Sequence, residues 1–294
     1  MTYITGDTHA NVDDVIKRIE DNNIQKGDTL IVLGDFGANF FLNVRDTIFK
    51  DRLNELGVTI FAIHGNHEAR PQHFEEYLVK EWNCGKVMYE KQYPNILFAI
   101  DGEVYNIDGK KTMAIGGAYS IDKYYRAFRA ALYMIEEFTS DEFEKIAKVA
   151  SGGPSVTKEM QKEADKLVKR IPENLMHWWS DEQPNRTIKQ RCEAKLEEHD
   201  WQVDVILTHT CPLKYEPTEM FLDGFNQDLI DKTTEKWLGK IEKKTDYKLW
   251  YAGHYHADKV VDDKFKFMFT KVEEFAKELN KELETPAIAQ EILK

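Results

Sequence analysis

The chain has 294 residues, room for one large α/β domain or two modest ones, and its 42% hydrophobic and 31% charged residues are the balance of an ordinary globular enzyme. A formal net charge of −12 argues against a grip on duplex nucleic acid, which draws much of its affinity from a basic face; small or peptide-borne phosphates suit it better. No apolar stretch nears the roughly 20 residues of a membrane span, no basic-then-apolar leader precedes Asp7, and the widely spaced Cys84, Cys192 and Cys211 read as free thiols of a reducing cytoplasm.

Five short apolar runs share one punctuation, each followed by Gly or Thr and then Asp, Asn or His. Residues 3–5 lead to Gly6-Asp7-Thr8-His9, and residues 29–33 lead to Gly34-Asp35. Residues 58–63 lead to Gly65-Asn66-His67, residues 203–207 to Thr208-His209, and residues 249–252 to Gly253-His254-Tyr255-His256. Helical patterns over 12–22, with Asn11 placed as a cap, and over 42–56 separate the first three runs. Strand–helix alternation predicts right-handed crossovers and a parallel or mixed sheet. Parallel strands end at one edge, where ligands bind, so the polar residues that close the runs should converge.

Residues 97–100, 104–107 and 112–115 read as three further strands, with turns at Asp101-Gly102 and Asp108-Gly109. After Gly116-Gly117 the pattern turns helical. Thr139 and Glu142 carry a capping-box signature before residues 140–149, residues 151–155 form a turn, and 156–170 read as a second helix. Residues 1–285 thus read as one domain, with a helical insertion over about 120–200, a closing helix at 271–284 and a tail at 286–294.

Asp7 and His9 lie two residues apart, where a chain leaving a strand can aim both at one ion, and the Asp35 carboxylate can bridge two. Asn66 offers a carbonyl oxygen; His209, His254 and His256 offer imidazole nitrogens. Mixed oxygen and nitrogen donors suit Mn above all, with Fe, Zn, Co or Ni as alternatives, better than Ca or Mg. Two such ions about 3.5–4 Å apart hold a phosphate and activate water for in-line displacement.

The five motifs, in order from residue 6 to 256, resemble those of the calcineurin-like metallophosphoesterases. The resemblance implies a four-layer α/β/β/α sandwich with a helical insertion. It implies one metal held by Asp7, His9, Asp35 and His256 and a second by Asp35, Asn66, His209 and His254, with a metal-bridging hydroxide as nucleophile. His67 matches the histidine that steadies or protonates the leaving oxygen, a step typically worth about 10²–10⁴ in rate. The expected reaction is hydrolysis of a phosphomonoester, on a small molecule or a phosphoprotein Ser or Thr. Phosphodiesterase action on cyclic nucleotides or nucleic acid ends is the alternative, and a metal-containing regulatory module with little turnover is a third.

The second motif departs from the family pattern: Ala38 stands where a carboxylate would orient His67, and Asn39 where an arginine would bind phosphate. Glu68 is a candidate replacement for the first, and Arg126 or Arg70 for the second, since guanidinium matches phosphate oxygens bidentately. His64 reads as a packing residue, and His73, His177 and His199 fall outside every motif. The Trp178-Trp179 pair fits burial better than base stacking. The sequence leaves the substrate and the oligomeric state open.

Overall fold

Alternation inside the buried runs decides the architecture. Leu30 and Val32 belong to one apolar cluster, while Ile31 and Leu33 belong to another. A strand buried on both faces in this way has to lie between two layers. The computed structural model describes residues 1–284 apart from residue 222.

Strands β1 (Thr2–Thr5), β2 (Thr29–Val32), β3 (Thr59–Ala62), β4 (Tyr77–Trp82), β5 (Gly85–Glu90) and β6 (Ile96–Ala99) build most of a first sheet. Strands β7 (Val104–Ile107), β8 (Lys110–Ile115), β9 (Val205–Thr208), β10 (Leu249–Ala252), β11 (Lys259–Asp262) and β12 (Phe265–Phe267) build a second. A last strand, β13 (Glu273–Glu274), pairs antiparallel with β1 and closes that edge of the first sheet. The orders are β13-β1-β2-β3-β6-β5-β4 and β11-β12-β10-β9-β8-β7. Strands β1, β2, β3 and β6 run parallel, as do β12, β10, β9 and β8.

The sheets face each other across Ile4, Ile31, Phe61, Leu97, Ala114, Val205, Leu207 and Tyr251. Helices α1 (Val12–Asp21) and α2 (Val44–Glu55) cover the outer face of the first sheet through Val15, Ile19, Phe49 and Leu53. Asn11 caps α1 by accepting from Asp14 N at 3.1 Å. Between β8 and β9 come α3 (Lys123–Ala131), α4 (Ser140–Ala150), α5 (Lys158–Val168), α6 (Glu173–Met176) and α7 (Arg186–Glu198). The first four share a satellite core of Tyr124, Ala127, Ile146, Val149, Ala164 and Met176. Helix α7, with α8 (Thr233–Lys244), covers the outer face of the second sheet through Ile188, Leu196, Trp237 and Ile241. The result is the expected four-layer α/β sandwich. Among the described residues no helix is long and apolar enough to cross a membrane.

The capping box at Thr139 and Glu142 is present, with Glu142 N donating to Thr139 Oγ1 and Thr139 N to Glu142 Oε2 at 2.9 Å. One reading needs correction, and one element was not read. All three strands expected over residues 97–115 form, β6 in the first sheet and β7 and β8 in the second. The β4–β5 hairpin carries no sequence signal because its two-residue turn is Asn83-Cys84, both with positive φ (48° and 68°), instead of an Asn-Gly pair. Residues 273–274 form edge strand and helix α9 spans only Lys277–Glu284, since Phe275 and Ala276 are drawn into the sheet–sheet core. The expected tail lies outside the described residues. All three cysteines are free, Cys84 exposed and Cys192 and Cys211 buried.

Leu207 is fully buried between the sheets. Its replacement by alanine should cost about 2–5 kcal/mol, read as a lower urea midpoint with an unchanged slope.

Candidate metal centre

Parallel strand order brings the five motifs to one rim of the sandwich. Asp7, Asp35 and Asn66 leave the carboxyl ends of β1, β2 and β3; His209, His254 and His256 leave those of β9 and β10. The turns are tight. His9, Asp35, His254 and His256 all sit at positive φ, between 47° and 66°, a conformation that costs non-glycine residues free energy and gathers at functional sites. Gly34, at φ +95°, has to be glycine for a second reason: a Cβ there would run into the His209 imidazole.

The donor atoms form two overlapping groups. One ligand atom from each of Asp7, His9 and His256 lies within 4.8 Å of the others, and the same holds for Asp7, Asp35 and His209. His9 Nε2 and His256 Nε2 are 2.8 Å apart, with Asp7 Oδ2 3.4 Å from the latter. Asp35 lies 3.7 Å from His9 Nδ1 through Oδ2 and 3.4 Å from His209 Nε2 through Oδ1, so both carboxylates stand between the two sides. The buried Asp7 Oδ2 has no hydrogen-bond partner.

The protonation pattern shows what this arrangement suits. His209 Nδ1 lies 2.8 Å from the Leu33 carbonyl oxygen, which can only accept, so this nitrogen carries a proton. When the ring is neutral, its Nε2 lone pair faces Asn66 Oδ1 at 2.8 Å and Asp35 Oδ1 at 3.4 Å. Asn66 is held in that sense because its Nδ2 donates to Ser120 Oγ at 2.9 Å. Acceptor lone pairs facing one another in a buried site repel, and a cation between them removes the repulsion. A ligand histidine tied by its other nitrogen to a main-chain carbonyl is the usual arrangement at metal sites. Burial, followed by His209 nearby, pushes His254 down to about 3 and keeps it a neutral imidazole. These residues fit a pair of divalent cations.

A supporting layer that the motifs do not reveal fixes the loops. The Arg18 guanidinium donates to the Asp7 carbonyl at 3.1 Å and the Phe269 carbonyl at 2.8 Å, binding the first loop to the second sheet's exit. Glu68 accepts from Gly37 N at 3.0 Å and Gly65 N at 3.2 Å, so it ties two motif loops together and does not orient His67. Asp35 Oδ1 accepts from His67 N at 2.8 Å.

The two arginines stand in different places. Arg70 is buried in an ion pair with Asp101 at 2.6 Å and donates to the Asp181 carbonyl at 2.9 Å, outside the residues that line the cleft. Arg126 reaches the site, with one contact from each of its three nitrogens. Its Nε donates to Asp122 at 2.7 Å, its Nη1 to the His177 carbonyl at 2.9 Å, and its Nη2 contacts His67 Nδ1. Ala38 is buried without a role at His67, and Asn39 accepts from Tyr77 Oη at 2.7 Å instead of facing the cleft. His64 is buried behind the rim, and its carbonyl accepts from Gly117 N at 2.8 Å.

His9, Asp35, Asn66, His67, His254 and His256 line one end of a cavity of about 440 Å³. Tyr119, Ile121, Glu216, Phe221, Phe225 and Glu235 are among the residues that line the rest of it. Gly34→Ala should displace His209, lowering both the thermal midpoint and the Mn²⁺ retained after gel filtration; a variant with wild-type metal content would detach that glycine from the cluster.

The calcineurin-like phosphoesterase family model matches residues 2–258. No curated protein matches the chain. Among solved structures, the phosphopantetheinyl hydrolase (PptH) of Mycobacterium tuberculosis is similar at 12% identity, over 97% of this chain and 93% of that one, with a TM-score of 0.42. That likeness is too slight to bear on substrate. The family match spans every motif loop at the rim, and the chain belongs to the calcineurin-like phosphoesterases, enzymes of metal-dependent phosphoester hydrolysis.

Proposed function

We propose that the chain hydrolyses the phosphomonoester of a small organic molecule, with two divalent cations, Mn²⁺ foremost, held by Asp7, His9, Asp35, Asn66, His209, His254 and His256. The observation that carries this reading is the shared cavity: the cluster and an organic-sized compartment lie in one space of about 440 Å³, within the range of small-ligand sites. One compartment beside the cluster suits an ester with one organic substituent better than a diester with two. An acidic chain whose described cavity-lining residues include a single lysine, Lys232, and no arginine gives nucleic acid ends little purchase.

When bound, the cations would supply charge neutralisation for the phosphoryl oxygens and activation of a water near neutral pH. The chain's residues orient that chemistry. The Leu33 carbonyl and Ser120 hold His209 and Asn66 so that Nε2 and Oδ1 face the centre. His67 keeps its main chain on Asp35 and its ring on Arg126. Because guanidinium only donates, Nδ1 has to accept, and the neutral ring carries its proton on Nε2, 3.9 Å from Asp35 Oδ2. That N–H can donate to the leaving oxygen as negative charge develops there. Arg126 thereby does for ring orientation what the missing carboxylate at position 38 would do, through the opposite nitrogen assignment.

Metal-loaded protein should turn over p-nitrophenyl phosphate with a higher kcat/KM than bis-p-nitrophenyl phosphate. The reverse order would make it a diesterase, and two bound ions without turnover of either would make it a non-catalytic module. His67→Ala should keep both ions and lose about 10²–10⁴ in kcat. Arg126→Ala should lower kcat about 10–100-fold with metal content and KM near wild type, and Arg126→Lys should recover part of it. An unchanged kcat in Arg126→Ala would free His67 of that support.

A further inference from the structure

The compartment beyond the metal ligands has a chemistry of its own. Its walls are mostly apolar, with Phe221, Phe225 and Tyr255 among them; the rings of Phe221 and Tyr255 lie within 21° of parallel at 6.3 Å. Tyr255 stands between the ligand residues His254 and His256, so this wall begins at the cluster itself. Among the described lining residues Lys232 is the sole lysine or arginine, and it is engaged: Nζ donates to Glu216 Oε2 at 2.8 Å and sits 5.0 Å over the Phe221 ring.

Glu235, on the first turn of α8 and only 4% exposed, also lines the compartment. Its Oε1 accepts from Thr210 Oγ1 at 2.8 Å, and the same hydroxyl lies 3.3 Å from Tyr255 Oη. Its Oε2 has no partner. A buried carboxylate oxygen without a donor carries a desolvation cost that a ligand N–H or O–H would remove. A second phosphate entering this compartment would instead meet Glu216 and Glu235, with no unpaired lysine or arginine among the described lining residues to receive it.

Resting on the phosphomonoesterase reading above, we infer that the substrate is a compact monophosphate ester whose alcohol carries an apolar, ring-sized body, ends in an N–H or O–H donor for Glu235, and bears no second anionic group. The phosphate is met by the cluster, the body by Phe221, Phe225 and Tyr255, and the donor by Glu235. Selection then comes from two sides. Burial pushes Glu235 up to about 7, and above that pH, where it is ionised, a donor gains a charge-assisted hydrogen bond and a carboxylate or second phosphate is repelled.

The test uses the full chain loaded with Mn²⁺ and three matched esters, phenyl phosphate, 4-(aminomethyl)phenyl phosphate and 4-carboxyphenyl phosphate, beside p-nitrophenyl phosphate. The aminomethyl ester should exceed the carboxy ester in kcat/KM by about 10–100-fold, the range of one charge-assisted hydrogen bond. Glu235→Gln, which keeps the shape of the side chain, should collapse that ratio toward about one. Equal rates for the two esters in the wild type, or a preference that survives Glu235→Gln, would overturn the inference and leave the monoesterase intact. If protein that retains its ions turns over none of the four esters, the monoesterase reading falls and this inference with it.

Discussion

The crowding of metal-type donor atoms at one rim sets the terms for this structure. His209, its Nδ1–H given to the Leu33 carbonyl, points its other nitrogen at two oxygens, and His9 and His256 meet nitrogen to nitrogen across from Asp7. Nitrogen and oxygen donors at this spacing are favourable together only with protons or cations between them. Two stacked sheets with parallel strands ending at the same rim make the placement possible, and divalent cations make it favourable. The left-handed residues, the glycine packed on His209 and the Arg18 and Glu68 ties all hold atoms where they would not rest on their own.

The rim was legible in the sequence because its logic is local. An apolar run long enough for one strand, closed by a small residue and then a metal-type side chain, states both the strand and what it delivers. Asn11 and Thr139 announced their helices for the same reason, since a cap is a contact between residues a few positions apart. Where the determinant was tertiary, the reading failed. Arg70 sits four residues after Asn66, yet its partners Asp101 and Asp181 come from distant segments that no spacing rule connects to it. The absence of a carboxylate at position 38 was visible, but the contact of Arg126 with His67 depends on how α3 docks against the third motif loop. The compartment's wall around Glu216 to Ile230 left no signature either, because its short 3₁₀ turns have no periodicity to detect.

The segment between β8 and β9 therefore has two physical jobs. Its own small core of Ile146, Val149 and Ala164 makes it a stable mass beside the rim. Its first helix then presents Arg126 to His67 while Asp122 and the His177 carbonyl hold the guanidinium still. Phe40, stacked on His177 at 5.0 Å, joins the second motif loop to the same assembly. The imidazole is thus oriented from the helical side of the molecule, although the donors around it come from the sheets.

Donor atoms from residue 7 and residue 256 meet within a few ångströms, and that separation along the chain has a thermodynamic consequence. An unfolded polypeptide cannot gather such distant groups, so cations captured by the folded form raise its stability as RT ln(1 + [M]/Kd), and buffering the free ion in solution adjusts the cohesion of both sheets at once. The conformational stability of the whole sandwich is in this sense a function of ambient metal activity.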